Sequence, residues 1–365
     1  MKTTVALSPA PGSDFALTEV ELTEPRADEI LVKIAATGLC HTDLSVRDTL
    51  PAEMFPRVFG HEGAGVVEQV GAEVEGISVG DHVVLSFRAC RVCGQCHRQG
   101  VGYCESTVLL NYLGTRMDGS TTYQHDGAPL FGSFFGQSSF AQHAIAYADN
   151  AVVVDKAHDL RRIGPFGCGF QTGAGTVLNV LQPGSDDALV VYGAGAVGLA
   201  ALAAAHGAGV GTLVAVDMMD SRLEAAAGYG AAVVNPAELD GASVVEKVKE
   251  LTGGGASHAL DTTGVAAVIR DGVSALRPRG ELAVLGLGAP ELTLDAVDVM
   301  MNGKVLRGSV EGDSDPQEMV PRLLALAAAG RFDVDRLIST YPFAEIGAAI
   351  ADSASGAAVK PVLTW

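Results

Sequence analysis

Hydrophobic positions in the second half of the chain fall into short solid blocks separated by small residues, not into long amphipathic stripes. The run from Ala188 to Ala205, ALVVYGAGAVGLAALAAA, carries no charge over 18 residues and is long enough to score as a membrane span. Glycines at 193, 195 and 198 divide it into a β-branched piece and an Ala/Leu piece. That division predicts a buried strand over Leu189 to Tyr192, a turn and a buried helix rather than a membrane helix. A second apolar strand, TLVAVD (Thr212 to Asp217), ends in an acid 19 residues beyond Gly198. HALDTTG (His258 to Gly264) and ELAVLGLG (Glu281 to Gly288) are further apolar blocks that end in small residues. KVLRGSVEG (Lys304 to Gly312) reads as a strand at the rim, where an exposed edge invites pairing with a second copy. Strands alternating with helices predict an α/β fold with a doubly wound parallel sheet.

Length and charge narrow the possibilities. At 365 residues the chain exceeds the usual single-domain size, so two domains are expected. With 48% hydrophobic and 18% charged residues the composition is globular. Forty-three acidic against 24 basic residues give a formal net charge of −19, which disfavours nucleic acid and anionic membrane surfaces as partners. The start, MKTTVALSPAPGSDF, has no sustained apolar stretch and does not read as a secretory signal, so a cytoplasmic protein is expected.

The six cysteines sort into two sets. Cys90, Cys93, Cys96 and Cys104 follow the spacing C-x2-C-x2-C-x7-C. Four thiols within 15 residues can close a tetrahedral shell around zinc, whereas a disulfide framework is improbable in a cytosolic enzyme of this size. A filled shell leaves no position for substrate, so this zinc is expected to be structural. An open, catalytic zinc takes three protein ligands. Cys40 and Cys168 are the remaining thiols, and His61 in FGHEGAGVV, flanked by glycines and followed by Glu62, is the natural nitrogen donor. Taken singly, each is more often a core residue. His82, His97, His125, His143, His158, His206 and His258 lack ligand spacing and are read as structural or solvated.

The turn Gly193-Ala-Gly195-Ala-Val-Gly198 follows a strand and opens a helix, as in dinucleotide-binding βαβ units. Gly193 would permit the tight turn, Gly195 the approach of a pyrophosphate, and Gly198 close packing of helix on strand. Asp217 would bind the adenosine ribose hydroxyls and repel a 2′-phosphate, which favours NAD over NADP, with Arg222 nearby as the opposing charge. Thr263, Gly264, Gly286, Leu287 and Gly288 lie at the carboxyl ends of later strands, where cofactor contacts are expected.

With GLCHTDL, GHEGAGVV, GDHVV, the four-cysteine loop, GCGFQTGAG and the Gly-rich turn in this order, the chain resembles the zinc-dependent medium-chain alcohol dehydrogenases from end to end. Through MDGST and GSFFGQSSFAQHA it is most similar to the aryl-alcohol and allylic-alcohol branch, such as benzyl alcohol and geraniol dehydrogenases. The resemblance implies a mainly-β GroES-like catalytic domain over 1–169 and 309–365 and a Rossmann NAD-binding domain over 170–308. It implies two zinc ions per chain. Cys40, His61 and Cys168 match the catalytic zinc ligands, and Glu62 and Asp43 the acids around them. Thr42 matches the hydroxyl that takes the alcohol proton, and His41 and Lys360 match contacts to the cofactor pyrophosphate. Thr172 and Val197 match residues beside the nicotinamide, and a homodimer or homotetramer is implied.

The implied reaction is reversible, NAD-linked oxidation of a primary alcohol to the aldehyde. Some relatives carry a histidine three residues beyond the matched Thr42, where this chain has Ser45, which is no base at neutral pH. The proton route could therefore end at His41, the cofactor ribose or water. Phe131, Phe134, Phe135 and Phe140 concentrate a third of the 12 phenylalanines within ten residues, as pocket lining or as loop packing. Two other readings stand beside this one: a polyol or thiol-adduct formaldehyde dehydrogenase, and a zinc-stapled NAD-binding protein without turnover. Cys168 speaks against the polyol enzymes, which often have a carboxylate there, and the set Cys40, Thr42, His61 and Cys168 against a mere binder.

Overall fold

In a computed structural model, which describes residues 1–98, 100–239 and 241–365, the chain forms two compact units. The first comprises Met1–Cys168, Asp315–Arg322 and Ile338–Trp365, and the second Gly169–Ser314 and Leu323–Leu337.

The first unit is built on two sheets. The five-stranded sheet runs in the order Arg57–Val58, Lys2–Ser8, Ala16–Leu22, Tyr123–His125, Ala128–Leu130. In Ala16–Leu22 the buried Val20 and Leu22 alternate with exposed Glu19 and Glu21, the period of a strand with one solvated face. The seven-stranded sheet is organised around Glu29–Gly38. That strand pairs antiparallel with Glu62–Val70 along one edge. Its other edge pairs with His143–Tyr147 through residues 29–33 and with the C-terminal Lys360–Thr364 through residues 36–38. Ile30, Val32, Ile34, Val67, Val83 and Leu85 fill the core on this sheet. The carboxyl end of Glu29–Gly38 is thereby fixed on both sides, immediately before Leu39 and Cys40.

The second unit carries the expected doubly wound sheet. Its six strands are all parallel, in the order Ala232–Val234, Thr212–Val216, Ala188–Tyr192, Ala256–Asp261, Leu276–Val284, Val305–Gly308. Every residue of Ala188–Tyr192 is buried, as a parallel strand covered on both faces requires. The uncharged run therefore ends as a strand, and its Ala/Leu half as the helix Ala196–Ala208. No helix among the described residues is long and apolar enough to cross a membrane. Residues 323–337 belong to this unit: the Phe332 ring meets Phe170 edge-on at 6.4 Å, and the Tyr229 hydroxyl donates to the Asp333 carbonyl at 2.5 Å. The Arg331 guanidinium also donates to the Gly207 carbonyl at 3.2 Å.

Candidate active site

Pairing of Gly38 with Glu62 sets the strand that precedes Cys40 beside the strand that follows His61. Cys40 caps the helix His41–Thr49, and Cys168 follows the turn Gly164–Gly167. The donor atoms of Cys40, His61, Glu62 and Cys168 all lie within 4.8 Å of one another. Asp43 organises this cluster. Its Oδ1 accepts from the Gly60 N–H at 3.0 Å and from His61 Nδ1 at 2.8 Å, and its Oδ2 from the Cys40 N–H at 3.1 Å. Asp43 takes Nδ1 of the fully buried His61, which leaves Nε2 to the cysteine cluster, and among the described residues no geometric hydrogen bond satisfies it. Gly60 must be glycine: its φ is +93°, and a Cβ would stand 2.3 Å from the Phe140 nitrogen.

Electrostatics fit a divalent cation at this cluster. A hydrogen bond with Cys168, against the cost of burial, holds the Cys40 thiol well below its ordinary range, with help from Lys360 and His61. Burial opposes the charged form of His61, but Asp43 and Cys40 together hold it well above the ordinary value. Both shifts favour a negative sulfur beside a positive centre, and a zinc ion bound by two thiolates and a neutral imidazole would supply that positive centre. Thr42 Oγ1 lies 3.7 Å from Cys40 Sγ. His41 is exposed at the helix start, and Ser45 is half-buried on the same helix.

Lys360, matched to a cofactor phosphate contact, is paired here with Glu62. Its Nζ is buried, donating to both Glu62 oxygens at 2.9 Å and to the Leu39 carbonyl at 3.2 Å. Burial pushes the Glu62 carboxyl up, and a carboxylate sealed behind Gly38 needs this counter-charge within its own unit. Gln137 was not singled out from the sequence, where its only signal was an amide inside an aromatic stretch. Its Nε2 donates to the His61 and Ser86 carbonyls at 2.9 and 3.1 Å, and its Oε1 accepts from the Gly63 N–H at 3.1 Å, which clamps the backbone around His61.

The phenylalanines divide between the His61 ring and packing elsewhere in the loop. Phe135 stacks on the His61 ring at 4.6 Å, and Phe134 meets it edge-on at 5.5 Å. Tyr112 and Phe59 continue this wall against Phe134 at 6.0 and 5.2 Å. Phe140 instead packs on Phe15 at 5.6 Å, and Phe131 is half-buried, its carbonyl accepting from the Val58 N–H.

Cys90, Cys93, Cys96 and Cys104 also gather within 4.8 Å. Their sulfurs accept backbone N–H groups: Cys104 from Cys90 at 3.2 Å and Ser106 at 3.4 Å, and Cys93 from Cys96 and Glu105 at 3.5 Å. The Cys93–Cys96 sulfur distance of 3.5 Å is far beyond a disulfide bond. The N–H donors from Glu105 and Cys96 lower the Cys93 thiol to about 6, while burial and its thiol neighbours push Cys96 up to about 12. Crowded sulfurs that cannot all ionise together call for a cation. Arg91 ties this loop to Asp315 with bonds of 2.7 and 2.9 Å.

In the second unit the Gly-rich turn has the shape of a dinucleotide cradle. Gly193 has φ +89°, with a would-be Cβ 2.3 Å from Thr262 Oγ1, and at Gly198 a Cβ would strike the Gly193 carbonyl. Above Gly195 nothing lies within 4 Å, at the start of the helix that contains Val197. Asp217 closes the strand Thr212–Val216, its Oδ2 accepting from the Ala194 N–H at 2.7 Å and its Oδ1 from the Met219 N–H at 2.9 Å. Arg222 stands in the next helix, Asp220–Ala227. Thr263, Gly264 and Leu287 meet at the strand ends, where a Cβ on Gly264 would touch the Leu287 carbonyl at 2.6 Å. Asp261, unmarked in the sequence, holds that corner by accepting from Thr263 Oγ1 at 2.6 Å and the Gly264 N–H at 2.8 Å. Thr172 lies in the helix Gly169–Gly175.

Residues 26–156 match the family model described as alcohol dehydrogenase GroES-like domain, and residues 196–329 the model described as zinc-binding dehydrogenase. The chain is 41% identical to the geraniol dehydrogenase of Castellaniella defragrans over 97% of its own length and 95% of that protein. The crystal structure of an alcohol dehydrogenase zinc-binding domain protein from Burkholderia ambifaria matches with a TM-score of 0.95 at 44% identity. That of the benzyl alcohol dehydrogenase from Acinetobacter calcoaceticus matches with 0.94 at 40%. Each covers 100% of this chain and 99% of the other. With both family models matched and near-complete coverage of these relatives, the chain belongs to the zinc-dependent medium-chain alcohol dehydrogenases.

Proposed function

We propose that the protein oxidises a primary alcohol, with aryl or allylic alcohols preferred, to the aldehyde with NAD, reversibly and with one zinc ion at Cys40, His61 and Cys168. The donor set within 4.8 Å, with His61 Nε2 left to it by the Asp43 bond on Nδ1, carries this reading. When bound, zinc supplies Lewis acidity toward an alcohol and NAD takes up the hydride. The chain's own residues do the rest. Asp43 fixes the His61 tautomer, and Phe134 and Phe135 keep water from the imidazole face. The Thr42 hydroxyl, next to Cys40, accepts the alcohol proton. Beyond it the relay ends at the exposed His41, the cofactor ribose or water, since Ser45 cannot act as a base.

Similarity to an allylic-alcohol and an aryl-alcohol dehydrogenase supports the substrate class over the polyol and thiol-adduct readings. Metal analysis is expected to find two zinc ions per chain, the second at the four cysteines. NADH formation with benzyl alcohol or geraniol is expected to exceed that with ethanol at least about tenfold in kcat/KM, because the aromatic wall rewards a larger apolar substrate. One zinc and no NADH from any alcohol would overturn the catalytic reading.

NAD, not NADP, is the proposed cofactor. Asp217→Asn is expected to lower kcat/KM for NAD by about 10- to 100-fold, about 1.4–2.8 kcal/mol, through weakened ribose contacts. Use of NADP should stay level or rise as the repulsion is relieved. An unchanged NAD/NADP ratio would show that Asp217 reads no ribose.

We also read the protein as a cytoplasmic homodimer, or a tetramer built from dimers. Val305 and Leu306, 45% and 39% exposed, lie on the outer strand Val305–Gly308 of the six-stranded sheet, which supports edge-to-edge pairing of two copies.

A further inference from the structure

The outer strand Val305–Gly308 leads at its carboxyl end into an unusual segment. Glu311, Gly312 and Asp313 have φ values of +52°, +65° and +49°, three left-handed residues in succession, two of them with side chains. Such backbone persists only where its surroundings impose it, and it gathers at functional sites. Here the helix Gly169–Gly175 imposes it. Gly312 and Gly175 are in backbone contact, since a Cβ on Gly312 would stand 2.7 Å from Gly175 Cα and one on Gly175 would stand 2.6 Å from the Gly312 carbonyl oxygen. Asn179 Nδ2 donates to that same carbonyl at 3.1 Å, and Ser309 Oγ bonds to Thr176 Oγ1 at 2.9 Å. The clamp sets the Glu311 side chain along the helix, where one carboxylate oxygen accepts from Gln171 Nε2 at 3.0 Å and from Thr172 Oγ1 at 3.2 Å.

The strand order of the second unit says what lies near this carboxylate. A six-stranded sheet of this winding binds a dinucleotide across its carboxyl ends, one mononucleotide on each half. The glycine turn and Asp217 belong to the half formed by Ala188–Tyr192, Thr212–Val216 and Ala232–Val234. The nicotinamide end then falls to the half formed by Ala256–Asp261, Leu276–Val284 and Val305–Gly308, and Glu311 stands three residues past the last of these strands. Oxidised nicotinamide carries a positive charge on its ring and reduced nicotinamide carries none.

We infer that Glu311, held in a left-handed turn against Gln171 and Thr172, is a positioning residue whose carboxylate shifts the affinity of the cofactor site toward the cationic, oxidised nicotinamide relative to the reduced one. This rests on the proposed use of NAD. All contacts to ribose, phosphate and adenine are common to the two forms and cancel in the ratio of their affinities, so the ratio isolates the ring charge. A consequence for turnover is a hold on NADH, relative to NAD, that is weaker than the same site would have with a neutral side chain at position 311, which eases release of the reduced product.

The test needs no turnover. NADH is titrated by its fluorescence and NAD by competition, with wild type, Glu311→Gln and Glu311→Asp, each checked for an unchanged melting temperature. Gln is isosteric and keeps an acceptor for Gln171 and Thr172, so folding and cradle shape are retained. Glu311→Gln is expected to weaken NAD relative to NADH by about 3- to 10-fold, the effect of one charge at close range in a partly solvated site. Glu311→Asp, which keeps the charge, should restore most of the ratio. Equal changes for both forms in Glu311→Gln, or an Asp variant that behaves like Gln, would reduce Glu311 to a structural support and overturn the inference. Wild type that binds neither form would overturn the NAD reading itself, so the two failures are distinct.

Discussion

Replacing Cys168 by Ser is expected to lower kcat/KM for alcohol oxidation by about 10³-fold or more, about 4 kcal/mol of lost transition-state stabilisation. Zinc content should fall from two ions per chain to one. Cys168 is buried at the end of a tight turn, and its sulfur lies within 4.8 Å of the Cys40 and His61 donors. A serine hydroxyl does not ionise near neutrality and is a hard donor where the site is built from soft ones, so the cation loses a charge-neutralising ligand. The substitution also removes the hydrogen bond that does most to hold the Cys40 thiol below its ordinary range, so Cys40 becomes a poorer ligand as well. The four-cysteine loop lies elsewhere in the chain and shares none of these donors, so the melting temperature should stay within about 3 °C of wild type, a shift worth about 1 kcal/mol. Activity above a tenth of wild type, with both zinc ions retained, would mean that the ligand set is wrong.

The two cysteine groups differ in how they can be read from a sequence. Cys90, Cys93, Cys96 and Cys104 stand close enough along the chain that backbone reach alone brings their sulfurs together. Cys40, His61 and Cys168 do not. What joins them is the Gly38–Glu62 register and the turn at Gly164–Gly167, and neither leaves a mark in composition or spacing. The two remaining thiols and the glycine-flanked His61 suggested the set, and resemblance to a family singled it out from other groupings. The parallel sheet was legible because solid apolar blocks that end in small residues have one economical arrangement, with both faces covered.

Polar residues that act through backbone groups were the least legible. Gln137 and Asp261 fix the surroundings of His61 and Gly264 by bonding carbonyl and N–H groups, and no side-chain pattern announces such contacts. Glu311 lay inside a stretch read as an edge strand, whereas the strand stops at Gly308 and the chain turns left-handed. Lys360 illustrates the opposite limit. A matched basic residue carries its charge over from the family, but nothing along the chain announces that Glu62, 298 residues away, pairs with it. The phenylalanine cluster was legible as a cluster but not as a division of labour, because which ring reaches His61 depends on the left-handed backbone at Ser133 and Phe135.

Replacing Cys104 by Ser is expected to cost the protein its second zinc and much of the stability of the segment around residues 88–112. A closed four-thiolate shell contributes folding free energy outright, about 10–16 kcal/mol in isolated zinc-finger peptides. In a larger protein only part of this is felt globally, because the loop can open alone. A fall in melting temperature of about 10 °C is therefore expected, with new proteolytic cleavage between residues 90 and 111. The effect should reach the active site by a traceable route. Cys104 and Val101 are buried in one cluster with Phe87, Phe134 and Phe135. Asn111 locks the end of the segment to its start, its Oδ1 accepting from the Arg88 N–H at 2.8 Å and its Nδ2 donating to the Arg88 carbonyl at 3.0 Å. The next residue, Tyr112, meets Phe135 at 5.3 Å, and Phe135 stacks on His61. If the rings around His61 form the proposed substrate wall, loosening the loop should raise KM for an aryl alcohol by about 3- to 10-fold while kcat changes less, since these rings move and the proposed zinc ligands do not. A melting temperature within about 2 °C of wild type, with no new cleavage, would show that the four thiols staple nothing.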